Sequence, residues 1–293
     1  MTRFLILGSS GLLGSRVGNY LQDFHGTFFH TMPSGSGQYH YLNISHSVEF
    51  KSLIESVKPE IVINCTGYTN VENCEKFPEK CWDINCSSIV HVAEICRMKS
   101  LKFIHISTDH FFQHDSKKMS EDVEIFPSNQ YSFAKLNAEK MISIVNPYSL
   151  IIRTNFFEIN SSKPRTFLGQ MIKNIQSGSA VFSFKDVVFS PVSINQLILS
   201  IMELITIEYF GIVNIGSTES ISKFDFHNMV LSRLSMDNTL HSAVSIDDFF
   251  HLAKRPKNMT LDYAKFKRLT GHEIPPICDM IDEEIAIGCQ EAE

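Results

Sequence analysis

Short apolar runs alternate with longer amphipathic segments through the first half of this 293-residue chain. Short apolar runs bounded by turn residues are typical of buried strands, and the amphipathic segments between them have helical spacing. Strands that alternate with helices form βαβ units, whose right-handed crossovers place helices on both faces of a parallel sheet. The pattern therefore predicts an α/β fold with a doubly wound parallel sheet.

The alternation is regular up to Arg153 and weaker after it. The strands predicted before that point are Arg3–Leu7, Thr27–Met32, Glu60–Asn64, Lys102–Ser107 and Ser149–Arg153, and the helices are Leu12–Phe24, Val48–Val57, Pro78–Met98 and Asn129–Val145. Later helices are predicted at Thr166–Gln176, Ile194–Tyr209, Lys223–Leu234, Asp262–Thr270 and Asp279–Ile287, and later strands at Ala180–Phe184, Val187–Phe189 and Ile212–Ile215. We therefore predict a first domain over residues 1–153 and a smaller C-terminal α/β lobe over residues 154–293, part of which returns to the first sheet.

Composition and charge restrict the partners. Apolar residues make up 43% of the chain and the net charge is −6, with both signs interspersed, which argues against nucleic acid as the main partner. The seven cysteines contain no CxxC pair, so reduced thiols of a cytoplasmic protein are expected rather than disulfides or a zinc ribbon. The most apolar long stretch, Val192–Val213, contains Asn195, Glu203 and Glu208 and is not a membrane span. No spacing of histidine and carboxylate residues predicts a metal centre.

A glycine-rich turn follows the first predicted strand. Gly8, Gly11 and Gly14 lie between that strand and an amphipathic helix. Glycines at such a turn let backbone N–H groups approach a pyrophosphate at the helix N-terminus, so the turn predicts a dinucleotide. The second strand does not end in an Asp or Glu that could bind the ribose 2′-hydroxyl of NADH, and the loop after it has no Lys or Arg for the 2′-phosphate of NADPH. The cofactor is therefore expected to be NADPH or NADH, and the missing acidic residue slightly favours NADPH.

A tyrosine and a lysine lie one helical turn apart. Tyr131 and Lys135 have i, i+4 spacing, which puts the phenol and the ammonium on one helical face. A neighbouring ammonium lowers the pKa of a phenol, and a phenol so adjusted can exchange a proton with a developing alkoxide. Thr108, just after the apolar run at residues 103–106, lies where a parallel strand faces the ligand crevice, and its hydroxyl can hydrogen-bond a substrate carbonyl.

These elements occur in an order that resembles the extended short-chain dehydrogenase/reductases, and among them the dTDP-4-dehydrorhamnose reductases. The likeness covers nearly the whole chain. The segments that resemble that family's motifs are Pro59–Glu72, Asp83–Ser88, Ser107–Phe112, Ile152–Phe156, Ser190–Pro191, Gly211–Asn214 and Arg255–Asp262. The resemblance implies a Rossmann fold and the NAD(P)H-dependent reduction of the C4 carbonyl of a nucleotide-linked 6-deoxy sugar, with the substrate between the two domains.

The resemblance also implies roles for individual residues. Tyr131 would protonate the carbonyl oxygen, Lys135 would bind the nicotinamide ribose and adjust Tyr131, and Thr108 would hold the carbonyl. The residues expected at the cofactor are Gly8, Ser10, Gly11, Leu12, Leu13, Gly14, Asn43, Cys65, Thr66, Gly67, Tyr68, Tyr131 and Lys135. Those expected at the nucleotide sugar are Val71, His110, Asn155, Phe156 and Arg255.

Departures from the family's motifs concern the sugar and the base rather than the chemistry. Asn43 stands in place of an Asp, His110 in place of a Tyr, Ser132 in place of a Gly, and Phe156 in place of a Trp. Two other functions stay open: a nucleotide-sugar epimerase of the same superfamily, and a non-catalytic NADP-binding regulatory subunit resembling the methionine adenosyltransferase β subunit. The oligomeric state also stays open, with a homodimer as one candidate.

Overall fold

A computed structural model describes residues 2–23, 27–32, 39–41, 47–112, 118–159 and 166–290. The chain forms two compact units. The first consists of Met1–Thr108, Phe126–Arg153 and Ile205–Val213, and the second of Asp109–Ile125, Thr154–Leu204 and Asn214–Glu293.

The described residues form the following strands and helices. The strands are β1 Arg3–Leu7, β2 Thr27–Met32, β3 Tyr39–Tyr41, β4 Ile61–Asn64, β5 Lys102–Ile106, β6 Phe111–Phe112, β7 Phe126–Pro127, β8 Leu150–Thr154, β9 Phe156–Phe157, β10 Val181–Phe184, β11 Val188–Phe189, β12 Val192–Ser193, β13 Gly211–Ile215, β14 Ile221–Ser222, β15 His241–Val244 and β16 Asn258–Met259. The helices are α1 Leu12–Asp23, α2 Ser47–Val57, α3 Val71–Lys76, α4 Pro78–Trp82, α5 Ser88–Met98, α6 Gln130–Val145, α7 Phe167–Gln176, α8 Ile194–Thr206, α9 Lys223–Arg233, α10 Ala264–Thr270 and α11 Ile277–Gln290.

A seven-stranded sheet forms the centre of the first unit. Its order is β13-β8-β5-β4-β1-β2-β3, and each neighbouring pair from β3 to β8 is parallel. Three consecutive residues of β1, Leu5 to Leu7, have no exposed surface, as expected of a parallel strand covered on both faces. The predicted doubly wound parallel α/β fold is confirmed. The strand order reverses direction at β1 and β4, and ligands of such sheets bind beyond the carboxyl ends of the strands at this point.

The second unit contains shorter strands. β10 pairs in parallel with β15, β11 lies between β14 and β16, and β9 pairs in parallel with β12. An aromatic core holds these pieces together, because the ring of Phe226 on α9 meets those of Phe157 and Phe189 edge to face, with centroids 5.0 and 5.4 Å apart.

Some elements differ from their predicted bounds. The predicted helix Pro78–Met98 is continuous but contains one π-helical turn, Asp83–Ser87, between α4 and α5. α3 was not predicted at all. α8 ends at Thr206, three residues before the predicted end.

Candidate active site

The glycine turn joins β1 to α1. Gly8 has φ +78°, a conformation that favours glycine, and a Cβ on Gly14 would lie 2.3 Å from the carbonyl oxygen of Gly8. Ser10 and Gly11 are exposed at the start of α1, whereas Leu13 is buried. The first N–H groups of a helix have no partner within it and carry its positive dipole end, so this turn is suited to bind a phosphate.

The loop after β4 lies beside the glycine turn. A Cβ on Gly8 would be 3.0 Å from Cγ2 of Thr66, and the Cys65 amide donates to Leu7 O at 2.9 Å. Asn85, in the π-helical turn, binds both polar groups of the Tyr68 backbone: its Oδ1 accepts from the Tyr68 amide at 2.8 Å, and its Nδ2 donates to Tyr68 O at 3.0 Å. The expected cofactor loop is therefore held at the carboxyl edge of β1 and β4.

Helix α6 carries Tyr131 and Lys135. A capping box starts it, since the Asn129 side chain accepts from the Ser132 amide and the Ser132 hydroxyl accepts from the Asn129 amide. Tyr131 is half-buried and packs against the core of the first unit. Nζ of Lys135 donates to Ile106 O at 2.6 Å and lies 3.3 Å from His105 Nε2. The structure thus places Lys135 at the carboxyl end of β5, with Tyr131 one turn before it.

The two hydroxyl residues after β5 have different surroundings. The Ser107 hydroxyl donates to Glu139 Oε1 at 2.5 Å, and Glu139 is paired with Arg153 through contacts of 2.7–3.1 Å. Both members of this ion pair are at least 95% buried. Ser107 therefore belongs to a structural network between β5, α6 and β8. Thr108, the next residue, is the hydroxyl residue predicted to hold the substrate carbonyl.

Burial controls the charges near Lys135. It lowers the pKa of Lys135 to about 8, against the opposing effects of Glu139, Cys65 and Cys81. It also raises the pKa of the Cys65 thiol to about 12, an effect that the Lys135 charge opposes. Burial and the Lys135 charge together hold the pKa of His105 well below its ordinary value.

The residues expected at the sugar lie in both units. Val71 begins α3 in the first unit and is buried. In the second unit, Asn155 Nδ2 donates to Asp109 Oδ2 at 2.7 Å. His110 follows Asp109 in the chain, Phe156 follows Asn155, and both side chains are half-buried. Arg255 lines a cavity of about 580 Å³ formed by residues 246–258 of the second unit. Asn43, expected near the cofactor, lies outside the described residues.

The described part of the chain contains no group of three or more His, Cys, Asp or Glu side chains that could hold a metal ion. Within the same residues, no helix has the length and apolar character needed to cross a membrane.

Comparison with known protein families identifies the family of this chain. The family model of the RmlD substrate binding domain matches residues 2–287. The chain belongs to this family.

Relatives of this RmlD-family chain cover most of its length. It is 26% identical to the probable low-salt glycan biosynthesis reductase Agl14 of Haloferax volcanii, over 94% of each chain. It is 27% identical to the dTDP-4-dehydrorhamnose reductase of Aggregatibacter actinomycetemcomitans, over 92% of this chain and 94% of the relative. The crystal structure of dTDP-4-dehydrorhamnose reductase from Bacillus anthracis, solved with NADP, superimposes with a TM-score of 0.89 at 23% identity, covering 98% of this chain and all of that one. The last likeness shows the fold, and the predicted family resemblance is confirmed.

Several polar residues with hydrogen bonds or charges in the protein interior were not predicted. They are Asn64, Asn85, His105, Glu139, Arg153 and Lys223. His105 could have been suspected, because it is a titratable residue inside the apolar run of β5. Lys223, in the second unit, places Nζ 3.3 Å from the centroid of the Phe189 ring, and burial lowers its pKa to about 8, against the opposing charge of Asp109. No local pattern distinguishes it from a surface lysine.

Proposed function

We propose that this protein is an NAD(P)H-dependent reductase of a nucleotide-linked 4-keto-6-deoxy sugar. The observation that carries the proposal is the placement of Lys135 Nζ on the carbonyl of Ile106, with Tyr131 one turn earlier on α6, in the unit that also holds the glycine turn. Membership of the RmlD family and the reductase names of relatives that span the same length support it.

The glycine turn fits a dinucleotide. The space that a Cβ on Gly14 would fill is taken by the Gly8 backbone, so strand and helix meet closely enough to form a phosphate-binding turn. Gly8, Ser10, Gly11, Leu12, Leu13 and Gly14 would hold the pyrophosphate, and Cys65, Thr66, Gly67 and Tyr68 would flank the riboses. When bound, the nicotinamide supplies the hydride. NADPH and NADH both fit this assignment, and the NADP bound to the Bacillus anthracis protein favours NADPH.

Three side chains would handle the proton and the carbonyl. Tyr131 donates its phenolic proton to the carbonyl oxygen as negative charge develops there. Lys135, when charged, lowers the pKa of Tyr131 and donates hydrogen bonds to the ribose. Thr108 donates a hydrogen bond to the same carbonyl oxygen, because Ser107 is engaged by Glu139.

The two units take different parts of the substrate in this proposal. The first unit binds the dinucleotide, and the second supplies His110, Asn155, Phe156 and Arg255 to the nucleotide sugar, together with Val71 of the first. A cytoplasmic location agrees with the free thiols of Cys65, Cys74, Cys81, Cys86, Cys96 and Cys278.

A homodimer completes the proposal. Phe133, Met141 and Ile144 of α6 are 44%, 39% and 78% exposed and lie on one helical face. A second copy of this chain would cover this face, since the same face on two copies is self-complementary about a twofold axis. Light scattering should give twice the mass of one chain, and Ile144→Glu should give the mass of one; a monomeric wild-type protein contradicts the dimer.

The activity is tested with a panel of substrates. Purified protein should oxidise NADPH or NADH with dTDP-4-keto-6-deoxy sugars, and NMR of the product identifies the sugar and its configuration at C4. Tyr131→Phe should lose most of the rate and keep its affinity for the cofactor. Cofactor that binds but is not oxidised with any keto-sugar would instead favour a regulatory subunit, and inversion at C4 without net oxidation would favour an epimerase.

A further inference from the structure

A continuous chain of hydrogen bonds joins Thr66, Asn64, His105 and Lys135, the last of which lies on the proposed catalytic helix α6. Thr66 donates to Asn64 Oδ1 through both its amide (3.2 Å) and its hydroxyl (2.6 Å). Asn64 Nδ2 lies 2.9 Å from His105 Nδ1, and His105 Nε2 lies 3.3 Å from Lys135 Nζ. Asn64 and His105 have no exposed surface and Lys135 is 3% exposed, so these contacts are shielded from water.

The direction of the first bonds fixes the rest of the chain. A backbone N–H can only donate, so the Thr66 amide requires an acceptor, and the oxygen of the Asn64 amide must face it. The Asn64 nitrogen then faces His105 and donates to Nδ1. Burial lowers the pKa of His105 well below its ordinary value and so keeps the ring neutral, and a neutral imidazole whose Nδ1 accepts a hydrogen bond carries its proton on Nε2.

The proton on Nε2 points at Lys135. A charged ammonium has three donors and no acceptor, so an N–H facing it finds no partner. A neutral amine keeps a lone pair, which can accept from His105 Nε2–H while the amine still donates to Ile106 O at 2.6 Å. The chain of hydrogen bonds therefore stabilises the neutral form of Lys135 over the charged form, independently of burial.

We propose that His105 is a positioning residue that, held in its Nε2–H tautomer by Asn64 and Thr66, favours the neutral amine of Lys135. This inference rests on the proposed function, in which the charge on Lys135 adjusts Tyr131. Thr66 belongs to the loop that would flank the cofactor, so the same chain connects that loop to the protonation of Lys135.

Other groups around Lys135 act in the opposite direction. Glu139 on α6, Cys65 after β4 and Cys81 on α4 all raise the pKa of Lys135, and Glu139 is itself neutralised by Arg153. His105 on β5 is the titratable neighbour that donates towards the amine. The balance between burial and His105 on one side and the Glu139 carboxylate on the other sets the pH at which Lys135 becomes charged.

The test measures protonation in the cofactor-free protein. In ¹⁵N-histidine NMR of the wild type, His105 should be protonated at Nε2 and accept at Nδ1. In samples with ¹³C-labelled lysine, the Lys135 signal, assigned with Lys135→Met, should titrate near the pKa of about 8. A wild-type His105 protonated at Nδ1 overturns the proposal without any variant.

Asn64→Asp provides an isosteric switch. A carboxylate accepts from Thr66 and from His105, so His105 should move its proton to Nδ1, leave Nε2 as an acceptor for the ammonium, and raise the Lys135 titration midpoint by at least one pH unit. The new negative charge alone also raises that midpoint, so the same substitution is made in a His105→Phe background. The proposal predicts a clearly larger shift when His105 is present, and equal shifts in the two backgrounds overturn it.

These measurements need no turnover, so they are independent of the reductase assay. Failure of the wild-type protein to oxidise NADPH or NADH with any keto-sugar would reject the proposed function and leave the tautomer result standing. A Nδ1-protonated His105 in an active reductase would reject the inference alone.

Discussion

Nζ of Lys135 donates a hydrogen bond of 2.6 Å to the backbone carbonyl oxygen of Ile106, the last residue of β5. This bond ties the catalytic helix of the proposed mechanism to the carboxyl edge of the sheet, where ligands of doubly wound folds bind. It also holds a titratable amine in the protein interior, where burial disfavours the charged form. The position that Lys135 needs for the proposed reaction therefore lowers the free energy of unfolding.

Lys135→Met should therefore inactivate the protein and stabilise it. Burial lowers the pKa of Lys135 to about 8 from 10.5, so folding disfavours its charged form, and removing it should raise the free energy of unfolding by about 1–3 kcal/mol at pH 7. The unfolded chain binds more protons than the folded one between about pH 8 and 10.5, so the gain should shrink as pH rises through this window. Urea unfolding measures it. The control is Lys140→Met, at an exposed position of the same helix, and an equal gain there would contradict the explanation.

Arg153→Met should strongly destabilise the protein. The substitution leaves the buried Glu139 carboxylate without its ion-pair partner, and breaking one side of a buried ion pair costs about 3–5 kcal/mol. The matched control is Lys99→Met, which breaks an exposed pair with Glu55 and should cost about 0.5 kcal/mol or less. Urea unfolding curves compare the two, and similar losses would show that the buried pair contributes no more than a surface one.

Gly14→Ala should weaken cofactor binding and stability together. The new Cβ would lie 2.3 Å from Gly8 O, so strand and helix must move apart, at a cost of about 1–3 kcal/mol. We expect NADPH affinity, measured by fluorescence titration, to fall by at least tenfold. Ser15→Ala, one residue further along α1, should change neither quantity appreciably, and an unaffected Gly14→Ala protein would mean that the turn is not the phosphate site.

The second unit should lose stability in mild acid. The Ser183 hydroxyl lies 2.7 Å from His241 Nε2 and 2.6 Å from His227 Nδ1, and His241 Nδ1 lies 2.8 Å from Asn228 Oδ1. The Asn228 oxygen can only accept, so His241 Nδ1 donates to it, and a neutral His241 then accepts from Ser183 at Nε2. Burial lowers the pKa of His227 to about 3 from 6.5.

The unfolded chain therefore binds more protons than the folded one between pH 6.5 and 3, and stability falls as pH falls through this window, by up to about 1.4 kcal/mol per pH unit for one group. Urea unfolding at pH 7, 6 and 5 measures the slope. His227→Gln should flatten it, whereas His91→Gln, at a half-exposed position of α5, should leave it unchanged. A stability that is constant between pH 7 and 5 would contradict the buried network.

Long apolar runs predicted the fold well. β1 and β2 have their predicted bounds, because runs such as Arg3–Leu7 are bounded by clear turn residues. α3 escaped prediction because its six residues are mostly polar and its start depends on an Asn70 cap. The π-helical turn at Asp83–Ser87 was also missed, since one extra residue in a helical turn barely changes the apolar spacing. Two-residue strands such as β9 and β12 depend on partners distant in the chain.

The candidate site could be predicted only where its residues share a local motif. Tyr131 and Lys135 share one helix, and the glycine turn is contiguous, so spacing alone indicated both. The contacts of Asn64 with His105 and of His105 with Lys135 join separate elements, and the spacing of these residues in the sequence does not indicate them. The roles assigned to the site residues, including Asn43 outside the described residues, stay predictions.

Transfer of deuterium from the cofactor to the sugar distinguishes a reductase from a protein that only binds both. The protein is incubated with a dTDP-4-keto-6-deoxy sugar and NADPH that carries deuterium at the transferable position of the nicotinamide. The proposed reduction transfers deuterium to C4 of the product sugar, and we expect a rate at least about 100-fold lower in Tyr131→Phe. A bound nucleotide sugar that gains no deuterium while the cofactor stays reduced would contradict it.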